Sequence, residues 1–449
     1  MNLTRTAREI FTESLSGLDI PAAVRHLVKP SPGGVVIDGR ELPVANFRRV
    51  ILISIGKAAA PMANSLLSQL RPALTPAQTM EGIVVAPSLP EMLDNRMQFF
   101  RGSHPLPDQV SEIAANAILW LLKGCDADCL VFFLISGGAS AMVEQPLDPA
   151  LSLADAIDLN RALIRSGLPI AKMNVLRKHF SRVKGGRLAV AAGEATQCTL
   201  LISDVPSDAL HVIGSGPSLP DPSTIADCRH IIDSTPSLHL SDSLLKFFRG
   251  ASLEETPKLD HPAFGRAHAA VLLSSDSLLV LAAQAATSRG FHVAVDTTCD
   301  ECDYREAAHY LLHRLEVLRR QHPRVCLLSA GELSVEITGT PGTGGRNQQF
   351  VLECARLLAE RNLTATVLSA GSDGIDGNST AAGAVCDETT FARAEVLGID
   401  VLEVLGNFNS ALVFIALGDA IVTAPTGNNV RDLRILLSAT WHSPSPSAP

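Results

Sequence analysis

The chain has 449 residues, 46% of them hydrophobic and 18% charged, and a formal net charge of -9. That length supports two or more domains with cores of their own, and the acidic balance gives no basic footprint for nucleic acid. No apolar run approaches the roughly 20 residues of a membrane-spanning helix, so the expectation is a soluble, cytoplasmic protein with no nucleic acid and no membrane among its partners.

The opening stretch carries Glu9, Glu13 and Asp19 and no apolar leader core, and it reads as an amphipathic helix. Short β-branched runs then alternate with helical patterns. Residues 49–56, 82–87, 129–138 and 198–205 are strand candidates, and 111–122 and 153–166 have helical apolar spacing. This alternation predicts an α/β fold with a parallel sheet covered by helices. The stretch 217–263 is rich in Pro, Asp and Ser and predicts a domain junction. The expected division is 1–245, 246–440 and a disordered tail at 441–449. A second strand series is expected at 269–275, 291–298, 324–339, 364–374 and 416–427. The nine cysteines are scattered in mostly apolar surroundings. Cys299 and Cys302 lack a second pair at zinc-binding spacing, so they are expected as ordinary thiols.

Strand after strand ends in glycine with a hydroxyl or an acid: Gly56-Lys57, Ser136-Gly137-Gly138, Ser203-Asp204, Gly331-Glu332 and Gly371-Ser372-Asp373. At the carboxyl ends of an open parallel sheet such loops collect ligands, and glycine lets backbone N–H groups approach an anion. The P-loop and dinucleotide fingerprints are absent, since the first strand-to-helix loop reads "GKAAAPMA". Kinase signatures and the GxSxG elbow are absent as well.

Lys57 stands where a helix begins, next to a dipole that is already positive, and that position asks for an anion. Arg346, in "GTGGRNQQ" with Gly344, Gly345 and Asn347, offers a rigid fork beside bare backbone. Lys178, Lys184 and Arg187 are weaker cationic candidates. Among the acids, Asp204, Glu332 and Asp373 suit a metal or substrate, Asp208 lies one turn beyond Asp204, and Asp376 reads as a turn or cap residue.

The segments "ISIGKAAAPMA", "GSHPLPDQVS", "LISGGASAM", "KHFSRVKGGRLA", "ISDVPSDALHVIGSGPSLPDPST", "GELSVEITGTPGTGGRNQQF", "GSDGIDGNSTAAGAV" and "APTGNNVRDL" resemble, in order, the glycerate 2-kinase family with its carboxyl-terminal MOFRL domain. The resemblance runs from about residue 5 to 437. It implies a larger Rossmann-like α/β domain, a smaller carboxyl-terminal α/β domain, and an active site in the cleft between them. It implies ATP and D-glycerate as substrates, Mg2+, and 2-phosphoglycerate as product. Lys57 and Arg346 take the family's essential lysine and arginine positions, and Ser136, Gly137, Gly138, Asp204, Glu332 and Asp373 match as well. The nucleotide is expected on Ser136, Gly137, Gly138, Lys184, Gly344, Gly345, Asn347 and Asp373, the metal on Asp204 and Glu332, and catalysis on Lys57, Arg346 and Asp204. The chain departs from the family at Ser207-Asp208-Ala209, at Gln349 and in "TAPTGNNVRD". A homodimer is compatible with this reading, and closure of two domains about a hinge near 220–265 is expected. An NAD(P)H-dependent hydroxypyruvate reductase and a non-catalytic sensor of phosphorylated metabolites stay open as alternatives.

Overall fold

A computed structural model describes residues 2–439, apart from 206–208, 252, 338 and 425. The expected tail at 441–449 and the candidate Asp208 lie outside the described residues. The chain divides into two compact units. One is Ile20–Leu272, and the other joins the amino-terminal helix Leu3–Ser16 to the chain from Leu273 onward.

The first unit opens with a small antiparallel sheet of β1 (Val28–Ser31), β2 (Gly34–Ile37) and β3 (Arg40–Leu42). Its main sheet contains β4 (Arg49–Ile55), β5 (Thr79–Ala86), β6 (Met97–Arg101), β7 (Cys129–Ile135), β8 (Thr196–Ile202) and β9 (Ala267–Leu273), in the order β6-β5-β4-β7-β8-β9. The pairs β5/β6, β4/β5, β4/β7 and β7/β8 are parallel. Counted within the sheet this is the order 3-2-1-4-5-6 of a doubly wound Rossmann-like fold, and its direction reverses between β4 and β7. Strand β7 is buried along its whole length, as expected of a central strand covered on both faces.

Two expectations change here. The run at 269–275, expected in the second series, falls on β9, the last strand of this first sheet. The junction expected at 245/246 falls inside the helix Asp242–Arg249, whose Leu244, Phe247 and Phe248 pack with Leu159, Leu176 and Phe180 in one core. The Pro- and Ser-rich stretch therefore marks loops between packed helices, and the segment expected as a hinge is fastened into this unit.

The second unit has a mixed sheet of β10 (His292–Val295), β11 (Arg324–Ala330), β12 (Thr366–Gly371), β13 (Gly383–Asp387), β14 (Ala420–Ile421) and β15 (Asp432–Ala439). The order is β10-β11-β15-β12-β13-β14, parallel between β10 and β11 and antiparallel elsewhere. The helix Leu3–Ser16 belongs here because Ile10 and Phe11 are buried, Arg8 donates to Ala420 O at 3.0 Å and Asn428 donates to Leu18 O at 2.7 Å. The run expected as a strand at 324–339 ends at Ala330, since Gly331 takes φ +114° and the chain turns to meet Asp300. Among the described residues no helix is long and apolar enough to cross a membrane.

Candidate functional site

In the first unit the chemistry gathers where the sheet changes direction. Ile55 and Ile135 are register partners at the ends of β4 and β7, so the loops after them leave side by side. Gly56 takes φ +126°, and a side chain there would come within 2.3 Å of the Ser136 hydroxyl and 2.6 Å of the Ser136 carbonyl. Only glycine lets the two loops touch. They are then tied together: Lys57 N–H donates to Gly137 O at 2.9 Å, and Ala58 N–H donates to the Ser136 hydroxyl at 3.1 Å. Ser136 is accordingly buried, and the Lys57 side chain is exposed. Gly138 sits at φ +86° between the Lys57 stem and His104, each 3.4 Å from where a side chain on it would begin. A side chain on Gly137 would meet the Asp204 carboxylate at 3.0 Å.

The structure thus groups Lys57, Gly137, Gly138 and Asp204 and adds His104, which stood inside the quoted "GSHPLPDQVS" and drew no role from its residue type. Burial chiefly, then Lys57 and Arg177, hold its pKa below the usual histidine range. The imidazole therefore favours its neutral form beside Lys57.

The basic run that follows in the chain is internal. Lys184, expected on the nucleotide, is buried and ion-paired to buried Glu144. Lys178 pairs with Asp221 at 3.0 Å, both buried, and Arg177 donates to Asn160 Oδ1 at 3.0 Å. These cations are consumed inside the protein and do not present a free charge. Arg187 is part-buried and donates to Lys178 O.

In the second unit the glycines of "GTGGRNQQ" are spent largely on the protein itself. A side chain on Gly345 would come within 2.3 Å of Asp376, and one on Gly377 (φ +62°) within 2.3 Å of Gly344 O. The loop Asp376–Asn378 is thereby drawn against the start of helix Arg346–Glu360. Asp376 accepts Asn347 N–H at 3.0 Å and Gln348 N–H at 2.8 Å, and Asn378 Oδ1 accepts Gly344 N–H at 2.8 Å. These first helical amides, open in principle to an anion, are already occupied by the Asp376 carboxyl group. Asn347 is buried, with its side chain between Asp376 and Ser369.

Arg346 gives Asp432 a two-point contact, at 2.6 and 3.2 Å, and meets Glu332 at 2.8 Å. Burial works to lower its pKa, and Asp432, Glu332 and Asp376 outweigh it, so the pKa is raised. The charge is permanent and its fork is fixed. These loops border a cleft of about 560 Å3 that includes Leu333, Val335, Arg346, Asp373, Ile375 and Phe408.

Burial above all, with Asp432 adding to it, pushes the Asp376 carboxyl up to about 7 against the two amides that favour its charge. Such a group is protonated in the folded protein and ionised in the unfolded chain between about pH 4 and 7, so its contribution to stability falls as pH rises through that window. Asp376→Asn should remove a slope of about 1.4 kcal/mol per pH unit from chemical-denaturation stabilities measured across it. An unchanged slope would show that Asp376 is already ionised.

The sequence-derived site is thus divided. Lys57, Ser136, Gly137, Gly138, Lys184 and Asp204 lie in the first unit, and Glu332, Gly344, Gly345, Arg346, Asn347 and Asp373 in the second. Among the described residues no group of three or more His, Cys, Asp or Glu is arranged to hold a metal ion. All nine cysteines are free, with Cys299 buried and Cys302 half-buried.

Residues 6–249 match a family profile described as "Domain of unknown function (DUF4147)", and residues 325–432 match the MOFRL family. A "Glycerate 2-kinase" of Pyrococcus horikoshii is 31% identical over 97% of this chain and 98% of its own. A relative from Agrobacterium vitis, 34% identical over 96% of this chain and 93% of its own, carries the provisional name of a hydroxypyruvate reductase. The crystal structure of a glycerate kinase from Thermotoga maritima superposes with a TM-score of 0.80 at 32% identity, covering 97% of this chain and 99% of that one.

Proposed function

The chain belongs to the glycerate 2-kinase family, and we propose that it transfers the γ-phosphate of ATP to the 2-hydroxyl of D-glycerate, giving 2-phosphoglycerate and ADP. The observation that carries this reading is the cluster at the β4/β7 reversal, where exposed Lys57 stands with the Ser136–Gly138 loop, His104 and Asp204. The acceptor oxygen bonds to the γ-phosphorus as the bond to the β,γ-bridging oxygen breaks, and the hydroxyl proton passes to solvent. Such transfer is mostly positioning and charge neutralisation, so an exposed, flexible cation at a backbone-rich turn is the part it requires.

Lys57 is assigned to the transferring phosphoryl group. Mg2+ on the nucleotide would draw charge from the β- and γ-oxygens. One strand-end carboxylate together with phosphate oxygens and water is a fitting set for it. Asp204, which stands against Gly137 in the loop beside Lys57, is the carboxylate assigned to that place. Arg346, held in one orientation by Asp432, is a fixed charge of the second unit.

ATP-dependent phosphorylation of D-glycerate with Mg2+, followed through enolase, tests the proposal. Enolase accepts 2-phosphoglycerate directly, so signal without added mutase is expected. Signal that needs the mutase would overturn the position of transfer, and no ATP consumption would overturn the kinase. The doubly wound strand order favours one other reading, a nicotinamide-dependent reductase. The loop "GKAAAPMA" lacks its fingerprint. NADH oxidation with hydroxypyruvate would restore that reading.

A further inference from the structure

The cleft bordered by Leu333, Val335, Ile375 and Phe408 has a volume and a lining that suit a ligand of definite chemistry. About 560 Å3 lies in the range of pockets that enclose a small organic ligand, and a three-carbon acid would leave most of it unfilled. Its apolar walls offer stacking and burial. Its lining is unsuited to a free anion: among the described lining residues the ionisable ones are Arg346, Asp373 and Asp376, and Arg346 is matched by Glu332 and Asp432.

One polar group inside it calls for a partner. Ser410 is 1% exposed, its hydroxyl makes no hydrogen bond, and it lines this cleft against Gly344, where a side chain would meet the Ser410 Oγ at 2.5 Å. A buried hydroxyl without a partner costs stability unless a ligand atom engages it. Asp373 stands at the end of β12 on the same cleft, with Oδ1 accepting Ile375 N–H at 3.0 Å. A strand-end carboxylate of this kind is suited to accept from the hydroxyls of a ribose.

We infer that this cleft binds the neutral part of the nucleotide, the purine base between the apolar walls with Ser410 on its edge and the ribose hydroxyls on Asp373. The inference rests on the kinase reading for the nucleotide's identity, and it assigns the nucleoside to residues of the second unit alone. The acceptor acid would leave most of this cleft unfilled and is not assigned to it.

Adenosine, which has no phosphate, is the probe. Its binding to the full chain is measured by titration calorimetry, beside steady-state KM values for ATP and D-glycerate. Ile375 is 53% exposed, so Ile375→Glu places a charge on the wall without disturbing a core. It should weaken adenosine and raise the KM for ATP by roughly ten- to a hundredfold, with the KM for D-glycerate unchanged. Ser410→Ala should weaken adenosine by roughly two- to tenfold. Absence of adenosine binding, binding indifferent to both substitutions, or a rise in the KM for D-glycerate instead would each overturn the assignment while leaving phosphoryl transfer untouched. Should the protein transfer no phosphate at all, the kinase reading falls, and the calorimetry still decides whether this cleft takes a nucleoside.

Discussion

Lys57→Ala should lower kcat by roughly a hundred- to a thousandfold while the protein unfolds at the same denaturant concentration as the parent. The two halves of this expectation come from one observation. Lys57 is anchored through its backbone, by N–H to Gly137 O at 2.9 Å, while its side chain is exposed. Removing the ammonium therefore leaves the loop's own hydrogen bonds in place, and it relieves a cation that faces the positive end of helix Ala59–Leu70. A purely surface lysine would lose neither activity nor stability. Loss of both together would make Lys57 a structural residue and remove this cluster from the mechanism. Lys57→Arg keeps the charge but changes its shape and reach, so it should recover a small part of the rate. Circular dichroism and denaturation on the same preparations separate the outcomes.

How far this could be read in advance varied with how local the signal was. The strands at 49–56, 82–87, 129–138 and 198–205 are predominantly apolar runs, and all four form, because a central parallel strand is buried on both faces wherever it stands. The strand order was not readable. Nothing local in "AAVLLSS" says which sheet it joins, and it crosses the expected boundary to become β9. Strand β15 went unread for another reason. It carries Asp432 and Arg434, and a strand with two charges does not look central; yet it pairs with both β11 and β12. Arg434 is fully buried there because it donates to Gly331 O at 3.0 Å and faces Ser329, partners that only the folded sheet supplies.

The glycine-rich stretch shows the same limit at the site. Bare backbone at Gly344 and Gly345 was read as room for a ligand, and much of that room is taken by Asp376 and Ser410. Asp376 itself was read as a cap or turn residue from its setting in "GSDGIDG", and it caps a helix nearly thirty positions earlier in the chain. Residue type told what Asp376 does, and only the fold told for which helix. The fork of Arg346 is similar. Its permanence was legible from the guanidinium alone, whereas its two carboxylate partners, Glu332 and Asp432, come from the strand-end loop after β11 and from the start of β15.

Lys184 provides the opposite test to Lys57. The sequence "RVKGGRLA" has the look of a phosphate loop, with lysine followed by paired glycines. In the fold those glycines, at φ +56° and +85°, let the backbone donate to Ser215 O and Gly216 O and fold inward, carrying the ammonium to Glu144. Both partners are nearly inaccessible, at 2% and 1%. Burial lowers the pKa of Lys184, and the attraction of Glu144 opposes that. Lys184→Met would leave the carboxylate buried with no ammonium beside it, which typically costs about 3 to 5 kcal/mol. The expected result is a large drop in the denaturation midpoint, with the KM for ATP unchanged in whatever folded protein survives. Pairing it with Glu144→Leu removes the orphaned charge, and a double-mutant cycle should recover most of the loss. A nucleotide-binding lysine would behave otherwise: the single substitution would leave the midpoint in place and raise the KM for ATP, and the second substitution would rescue nothing. The stability measurement on the pair of variants therefore decides whether Lys184 belongs to the fold or to the site, and the buried geometry points to the fold.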